Sequence, residues 1–436
     1  MTDNILIDEL TLSRWRQFNN VEIAFHDRLT ILTGANGAGK STILKILKSH
    51  FPYESDEQFL STPIQEAGAT RFSAGNWFSN LFGDLFPPKV VPTNTTRIGQ
   101  VVYSNESICS LTLPQQDSMQ YALVRSQNQP IPGVSIKSHR AIPKYDQLKN
   151  IPISGVTPAE AQKLYFELEK SYSEQSFFHR DGNLLRVGPL AAIKEALITF
   201  ATFGIGNAHV APIPELAGLY ERFQGILGAV LPPEIGFQKL EIRTPEVVII
   251  SSSGSFPIDG ASGGLMSLIQ LSWQIFLQSE IYKSNRFMVL IDEPENHLHP
   301  SMQRSYLKNI VEAFPQARFV VATHSPFIIS SVKDSYVYAL QHMSADSSTL
   351  KPLEARSVTS HKLDALQKAG PASDILREVL GVPVTMPEWS AKEIERIASV
   401  FAAKKMDAEA LKSLRNELNE AGLSDFYPDA LERIVK

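Results

Sequence analysis

The stretch Gly34-Ala35-Asn36-Gly37-Ala38-Gly39-Lys40-Ser41 decides the fold. It reads G-x-x-x-x-G-K-S, and its flanks agree with its letters. The apolar run Leu29–Leu32 before it predicts a buried strand, and Ser41–Ser49 after it predicts a helix that buries Ile43, Leu44 and Leu47. A strand that runs through a glycine turn into a helix aims backbone N–H groups and the positive helix end at one point, where an anion binds. The expected phosphate cradle is Asn36, Gly37, Ala38, Gly39, Lys40, Ser41 and Thr42. Within it the Lys40 ammonium is placed to reach the terminal phosphates and the Ser41 hydroxyl to ligate Mg²⁺.

Working outward, Phe287-Met288-Val289-Leu290-Ile291-Asp292-Glu293-Pro294 is an apolar strand that ends in two adjacent carboxylates. Asp292 is expected to hold the Mg²⁺ and its water shell, and Glu293 to orient an attacking water or take its proton. Upstream of this strand, by one helix and a turn, Asp259-Gly260-Ala261-Ser262-Gly263-Gly264-Leu265 opens an apolar helix. The small residues Ser262, Gly263 and Gly264 allow backbone N–H groups and the helix N-terminus to approach a γ-phosphate.

Taken in this order, the chain resembles the ABC-type ATPase superfamily, with Walker A at Gly34–Ser41, a signature motif at Ser262–Gly264 and Walker B ending at Asp292. The resemblance extends to Glu295-Asn296-His297-Leu298-His299-Pro300, similar to the D-loop of non-transporter members. It extends also to Thr323-His324-Ser325-Pro326, where His324 matches the switch histidine. It implies ATP and Mg²⁺ as ligands. It also implies a nucleotide sandwich, in which Lys40 and Asp292 of one subunit and Ser262 of another grip the same ATP. The signature departs from the common pattern, since Ala261 stands where the family often has Leu and Leu265 where it has a polar residue. The Q-loop glutamine is not identifiable among Gln100, Gln115, Gln116 and Gln147.

Composition sets bounds on this reading. The 436 residues are 43% hydrophobic and 20% charged, as in an ordinary folded protein, with a formal net charge of −5 that excludes a basic nucleic-acid coat. A single cysteine, Cys109, cannot form an internal disulfide or a multi-cysteine metal site, which fits a reducing cytoplasm. No secretory leader and no membrane-spanning run is read from the sequence. The expected class is α/β, with a mixed central sheet, an antiparallel β subdomain, a helical insertion and a small helical tail. A split ATPase core is expected at 1–50 and 248–340, an insertion at 51–247 and a helical region at 341–436. Thr157-Pro158-Ala159-Glu160 and Ser390-Ala391-Lys392-Glu393 both read as capping boxes that start helices, and the sheet is expected to end at Ser335–Leu340.

Within the insertion, Lys137, His139, Arg140, Lys144 and Lys149 form a basic cluster. Two readings stay open for it, a solvated face and a contact to a nucleic-acid backbone, with Arg140 alternatively placed beside the nucleotide. Within the superfamily the chain is most similar to bacterial antiphage-defence ATPases of the overcoming-lysogenisation-defect group, on Leu12-Ser13-Arg14-Trp15-Arg16-Gln17-Phe18, Ser138-His139-Arg140 and Ile375–Pro383. The residues after Val332 lack the spaced acidic residues of a fused Toprim nuclease. The resemblance therefore implies a homo-oligomeric ATPase subunit that holds a separate nuclease. An HNH partner, as in Septu and retron systems, is favoured over a Toprim effector of the PARIS kind. A RecF-like DNA repair ATPase and a nucleotide-gated scaffold with negligible turnover are the alternatives.

Overall fold

The computed structural model describes residues 4–52, 57–66, 69–74, 96–114, 118–140, 145, 147–148, 152, 154–174, 178–180, 183–185, 187–207, 209–283, 285–342, 357–380, 387–402 and 408–435. The chain divides into two compact units, residues 1–370 and 371–436.

The larger unit is built on an 11-stranded sheet. Its strands are β1 (Ile7–Trp15), β2 (Phe18–Ala24), β3 (Leu29–Gly34), β4 (Arg97–Tyr103), β5 (Ile108–Thr112), β6 (Val124–Ser126), β7 (Gly133–Ile136), β8 (Phe287–Asp292), β9 (Ala317–Ala322), β10 (Tyr336–His342) and β11 (Val358–Lys362). They lie in the order β6-β5-β4-β1-β2-β11-β10-β3-β9-β8-β7. Strands β7, β8, β9, β3 and β10 are mutually parallel. Beyond them the sheet turns antiparallel through β10–β11, β1–β2, β1–β4, β4–β5 and β5–β6, with only β2–β11 parallel. The composition of the strands follows from this layout. Phe287 to Ile291 in β8 and Phe319 to Ala322 in β9 are completely buried, because parallel strands carry helices on both faces and cannot alternate. In contrast β1 alternates, with Ile7, Leu10, Leu12 and Trp15 buried between more exposed neighbours.

As expected, antiparallel structure follows residue 51: Phe59–Leu60 pairs with Gln120–Tyr121, Thr62–Glu66 pairs with Ala69–Ser73, and β4, β5 and β6 extend the main sheet in the same sense. Two expectations are corrected here. The sheet does not end at Leu340, because β11 inserts between β10 and β2. Its sequence Val358-Thr359-Ser360-His361-Lys362 carries little apolar signal, and it is held by backbone pairing from Tyr338↔Lys362 to His342↔Val358. The helical tail therefore starts near residue 371 rather than 341. Elsewhere Leu240–Ile250 is two strands, Phe237–Arg243 and Glu246–Ser251, paired as a hairpin.

Helices α1 (Lys40–Lys48), α2 (Pro158–Ser173), α3 (Leu190–Ile205), α4 (Pro214–Val230), α5 (Gly263–Tyr282) and α6 (Pro300–Ala313) complete this unit. Thr157 caps α2 in the expected capping box with Glu160. Helix α5 is buried from Leu265 through Ser279, so its polar Ser267, Gln270 and Gln274 lie inside the protein. The smaller unit contains α7 (Glu388–Ala402), α8 (Ala408–Glu420) and α9 (Tyr427–Val435) around Ile394, Ile397, Phe401, Leu414, Leu418 and Ala430. Ser390 does not cap α7. The helix already starts at Glu388, where the Ala391 N–H donates to the Pro387 carbonyl, and Ser390 is buried in the first turn. Among the described residues no helix is long and apolar enough to cross a membrane.

Beneath the sheet, the buried His50 ring meets the Tyr103 hydroxyl at 2.9 Å. Burial pulls its imidazole down to about 3, and the nearby Arg125 charge acts in the same direction. The unfolded chain thus binds a proton here that the folded chain refuses. The corresponding stability is complete above about pH 6.5 and is lost as the pH falls toward 3. Replacing His50 by Asn should make the pH dependence of the unfolding free energy shallower by about 1.4 kcal/mol per pH unit between pH 6 and 4, measured by urea titration. An unchanged slope would remove His50 from the account.

Candidate functional site

The carboxyl ends of β3, β8 and β9 are neighbours, so whatever follows these strands shares one edge of the parallel sheet. After β3 comes the glycine turn. Gly39 adopts φ 99°, and a Cβ on it would lie 2.4 Å from the Phe18 ring and 2.6 Å from Gln17 Nε2, so only glycine fits. Asn36, Gly37 and Ser41 face solvent, while Ala38 and Lys40 are buried. The Lys40 ammonium donates to the carbonyls of Gly34 (2.9 Å) and Ala35 (3.2 Å), which folds the side chain back over the turn. Burial draws its pKa down to about 8, against the opposing pull of Asp292, Glu293 and Glu295.

After β8 come the acidic residues. The Asp292 carboxyl is raised by burial and by repulsion from Glu293, and lowered by a hydrogen bond with Ser41 and the Lys40 charge. Its Oδ1 is buried with no hydrogen-bond partner. Glu293 sits at φ 48° and its N–H donates to the Ala322 carbonyl at 2.8 Å, which turns the chain sharply off the strand. Asn296 Nδ2 donates both to Glu293 Oε2 (3.0 Å) and to the Ser138 carbonyl (3.1 Å), fixing the carboxylate to the end of β7. After β9, Thr323 Oγ1 and the His324 N–H both donate to Glu295 Oε1 at 2.8 Å. Burial holds the His324 imidazole below its usual value, with Lys40 adding to the effect and Glu293 opposing it.

An orphaned, buried carboxylate oxygen on Asp292 and a hydroxyl bonded to the same carboxyl fit a hard divalent cation, which takes oxygen ligands from protein, water and phosphate. The exposed, glycine-lined turn with a buried lysine behind it fits a polyphosphate.

The signature residues lie apart from this group. Ser262 is exposed and caps α5, its hydroxyl accepting from the Leu265 N–H at 3.4 Å, and among the described residues it makes no hydrogen bond to the glycine turn. Gly264 is the contact point of the helix, since a Cβ there would lie 2.9 Å from the His297 carbonyl oxygen.

The basic cluster needs correction. Arg140 is not a surface residue. It is 6% exposed, and its guanidinium donates to Ser267 Oγ (3.0 Å) and to the carbonyls of Lys137 (3.1 Å), Asn296 (3.3 Å), Pro294 (3.4 Å) and Glu293 (3.5 Å). It thereby ties α5 to the loop after β8, a role that a charge count cannot separate from solvation. Lys137 is exposed and lies 3.8 Å from Glu169, while Lys144 and Lys149 fall outside the described residues. Of the glutamines considered, Gln100 is on β4 in the antiparallel part of the sheet, and Gln115 and Gln116 are outside the described residues. The segment after β7, which borders the acidic strand, begins Lys137-Ser138-His139-Arg140, and Gln147 lies further along it, before α2.

Sequence reasoning missed two groups. Gln17 is 5% exposed and donates through Nε2 to the Gly37 carbonyl at 3.3 Å, with its Oε1 buried and unpartnered. Glu295 is a third, half-buried carboxylate at this edge, its pKa raised by burial, and its Oε2 is buried without a hydrogen-bond partner. The spacing Glu293-Pro294-Glu295 was the available signal for the second. None existed for Gln17, which reaches the turn only through the β1–β2 hairpin.

The low pKa of Lys40 gives a test. Bound phosphates restore the full charge, so ATP binding at pH 8 should take up about half a proton, and at pH 6 almost none. Calorimetry in buffers of different ionisation enthalpy reads this directly. Equal uptake at both pH values, or uptake retained in Lys40→Ala, would contradict the placement of Lys40.

Two family models match the segments that build this edge. One, "AAA domain", covers residues 9–58, and the other, "AAA domain, putative AbiEii toxin, Type IV TA system", covers residues 222–330. Over 119 residues the chain is 27% identical to "Retron Vc95 probable ATPase" of Vibrio cholerae serotype O1 biovar El Tor, a match to 25% of this chain and 23% of that protein. Over 120 residues it is 26% identical to the Septu protein PtuA of Bacillus thuringiensis, covering 26% of this chain and 30% of that one. The chain thus spans less than a third of the length of these curated relatives. Among solved structures, the SMC head domain from Thermotoga maritima aligns with 82% of this chain and 99% of its own, at TM-score 0.40 and 13% identity. The chain has a mixed α/β fold in which the segments that carry the glycine turn and the acidic strand end match AAA-domain models, and over about a quarter of its length it is similar to retron and Septu proteins.

Proposed function

We propose that this chain is the ATP-binding and hydrolysing subunit of a bacterial antiphage-defence complex, which oligomerises around ATP and regulates a separate nuclease, HNH in type, within the cytoplasm. The observation that carries the enzymatic part is the meeting of Lys40, Ser41, Asp292, Glu293 and His324 at one edge of the sheet. The defence role rests on the similarity to the retron and Septu proteins.

In this reading the N–H groups of Asn36 to Thr42 and the Lys40 ammonium bind and orient the β- and γ-phosphates. Ser41 and Asp292 hold Mg²⁺, which supplies charge neutralisation at the phosphate oxygens when bound. Glu293 orients the attacking water and accepts its proton, while the Asn296 amide fixes the direction of the carboxylate. His324, its pKa lowered chiefly by burial and further by the Lys40 charge, stands at this edge, where its ring would donate a hydrogen bond to the γ-phosphate. Ser262, exposed at the start of α5, completes the site of a second copy. That requirement makes the active form an oligomer and allows nucleotide state to reach the nuclease.

Glu293→Gln should lower kcat by at least about a hundredfold while leaving ATP binding in place, and Lys40→Ala should abolish binding. Hydrolysis by Glu293→Gln at the wild-type rate would refute the role of Glu293. In a phage-protection assay with the neighbouring gene coexpressed, loss of protection in both variants identifies a turnover-driven complex. Loss in Lys40→Ala alone identifies one gated by binding.

A further inference from the structure

Away from the phosphate edge, α3 buries a lysine. Lys194 has no exposed side-chain surface, and it is the one ammonium group in a largely apolar helix whose other charged residue is the neighbouring, buried Glu195. Its Nζ lies 2.7 Å from Glu246 Oε2 and 2.9 Å from Asp259 Oδ2, and 5.3 Å from the centre of the Tyr145 ring, whose hydroxyl in turn donates to Glu246 Oε1 at 2.9 Å. The two carboxylates hold the lysine charged, raising its pKa against the cost of burial.

These three residues belong to three different elements. Lys194 is in the middle of α3, Glu246 opens the second strand of the hairpin, and Asp259 lies in the short turn Ile258–Gly260 that leads into Ser262. A buried ion pair contributes little net stability compared with an apolar replacement, but breaking one arm of it is costly, so it fixes geometry more than it adds energy. The geometry it fixes is that of the chain entering the signature motif. Ser262 itself is exposed, and its described bond is local, to its own helix. The anchor that sets where it stands is therefore Asp259, three residues earlier.

We propose that the Lys194–Asp259–Glu246 cluster is a positioning device that anchors the turn before Ser262 to α3 and the hairpin, so that Ser262 stands where a second copy can close on ATP. This inference rests on the ATP-sandwich reading above. The cluster touches neither nucleotide nor catalytic carboxylates, and acts only through the placement of the signature turn.

The test separates the two nucleotide events. Monomer binding is measured with a fluorescent ATP analogue, and dimerisation by sedimentation velocity with Mg²⁺ and a non-hydrolysable ATP analogue. Asp259→Asn removes one charged arm while Lys194 keeps Glu246, and is expected to fold. It should bind the fluorescent analogue as the wild type does, yet dimerise at least about tenfold more weakly. Ser262→Arg serves as the reference for the sandwich. If Ser262→Arg blocks dimerisation while Asp259→Asn dimerises normally, the cluster does not position the signature and the inference fails alone. If Ser262→Arg dimerises normally, the sandwich reading fails and the inference falls with it. Equal loss of monomer binding and dimerisation in Asp259→Asn would mean general damage, and would overturn a specific positioning role.

Discussion

The site depends on one constraint: a carboxylate is forced to stand at the end of a strand that is otherwise wholly apolar and wholly buried. The strand β8 cannot shift to expose Asp292, because Phe287 to Ile291 are locked between two parallel neighbours and covered on both faces. Asp292 thus keeps an oxygen buried and unpartnered next to the Ser41 hydroxyl and the Lys40 ammonium. An unpaired buried carboxylate oxygen is expensive, and the cost is accepted where a cation is to be bound. The surrounding polar structure fits that purpose. Asn296 fixes Glu293, Glu295 holds the backbone of His324, and Arg140 collects the carbonyls of the loop after β8.

Arg140 also ties α5 to the loop after β8. Its Nε reaches Ser267 on α5, and its Nη2 reaches the chain from Glu293 to Asn296. At the same junction the Gly264 backbone is pressed against the His297 carbonyl. Helix α5 and the loop after β8 therefore share a close-packed seam, while the turn before α5 is held from α3 by the Lys194–Asp259 ion pair.

The legibility of the sequence follows the locality of the physics. The glycine turn, the acidic strand end and the Thr157 capping box could be read because their chemistry needs particular residues at short fixed spacing. Strand β11 could not, since its place is set by backbone pairing with a distant strand rather than by its side chains. Arg140 stays undecided in sequence for a related reason: a guanidinium whose partners include carbonyls 153, 154 and 156 residues away looks there like one facing water. Gln17 gave no signal at all, because it meets the glycine turn only once the β1–β2 hairpin has formed. Alternation reveals the antiparallel strands and says nothing of their neighbours, so the joining of β4, β5 and β6 to the main sheet is set by pairing that the sequence does not display.

The account stands on Asp292 as the residue that holds a divalent cation against bound nucleotide. The most direct measurement is an electron paramagnetic resonance titration of Mn²⁺ in the presence of ADP, which needs neither hydrolysis nor a partner. Nucleotide-dependent Mn²⁺ binding by the wild type, weakened at least about tenfold in Asp292→Asn with the fold intact, is the predicted result. Mn²⁺ affinity unchanged by Asp292→Asn would contradict the account at its centre.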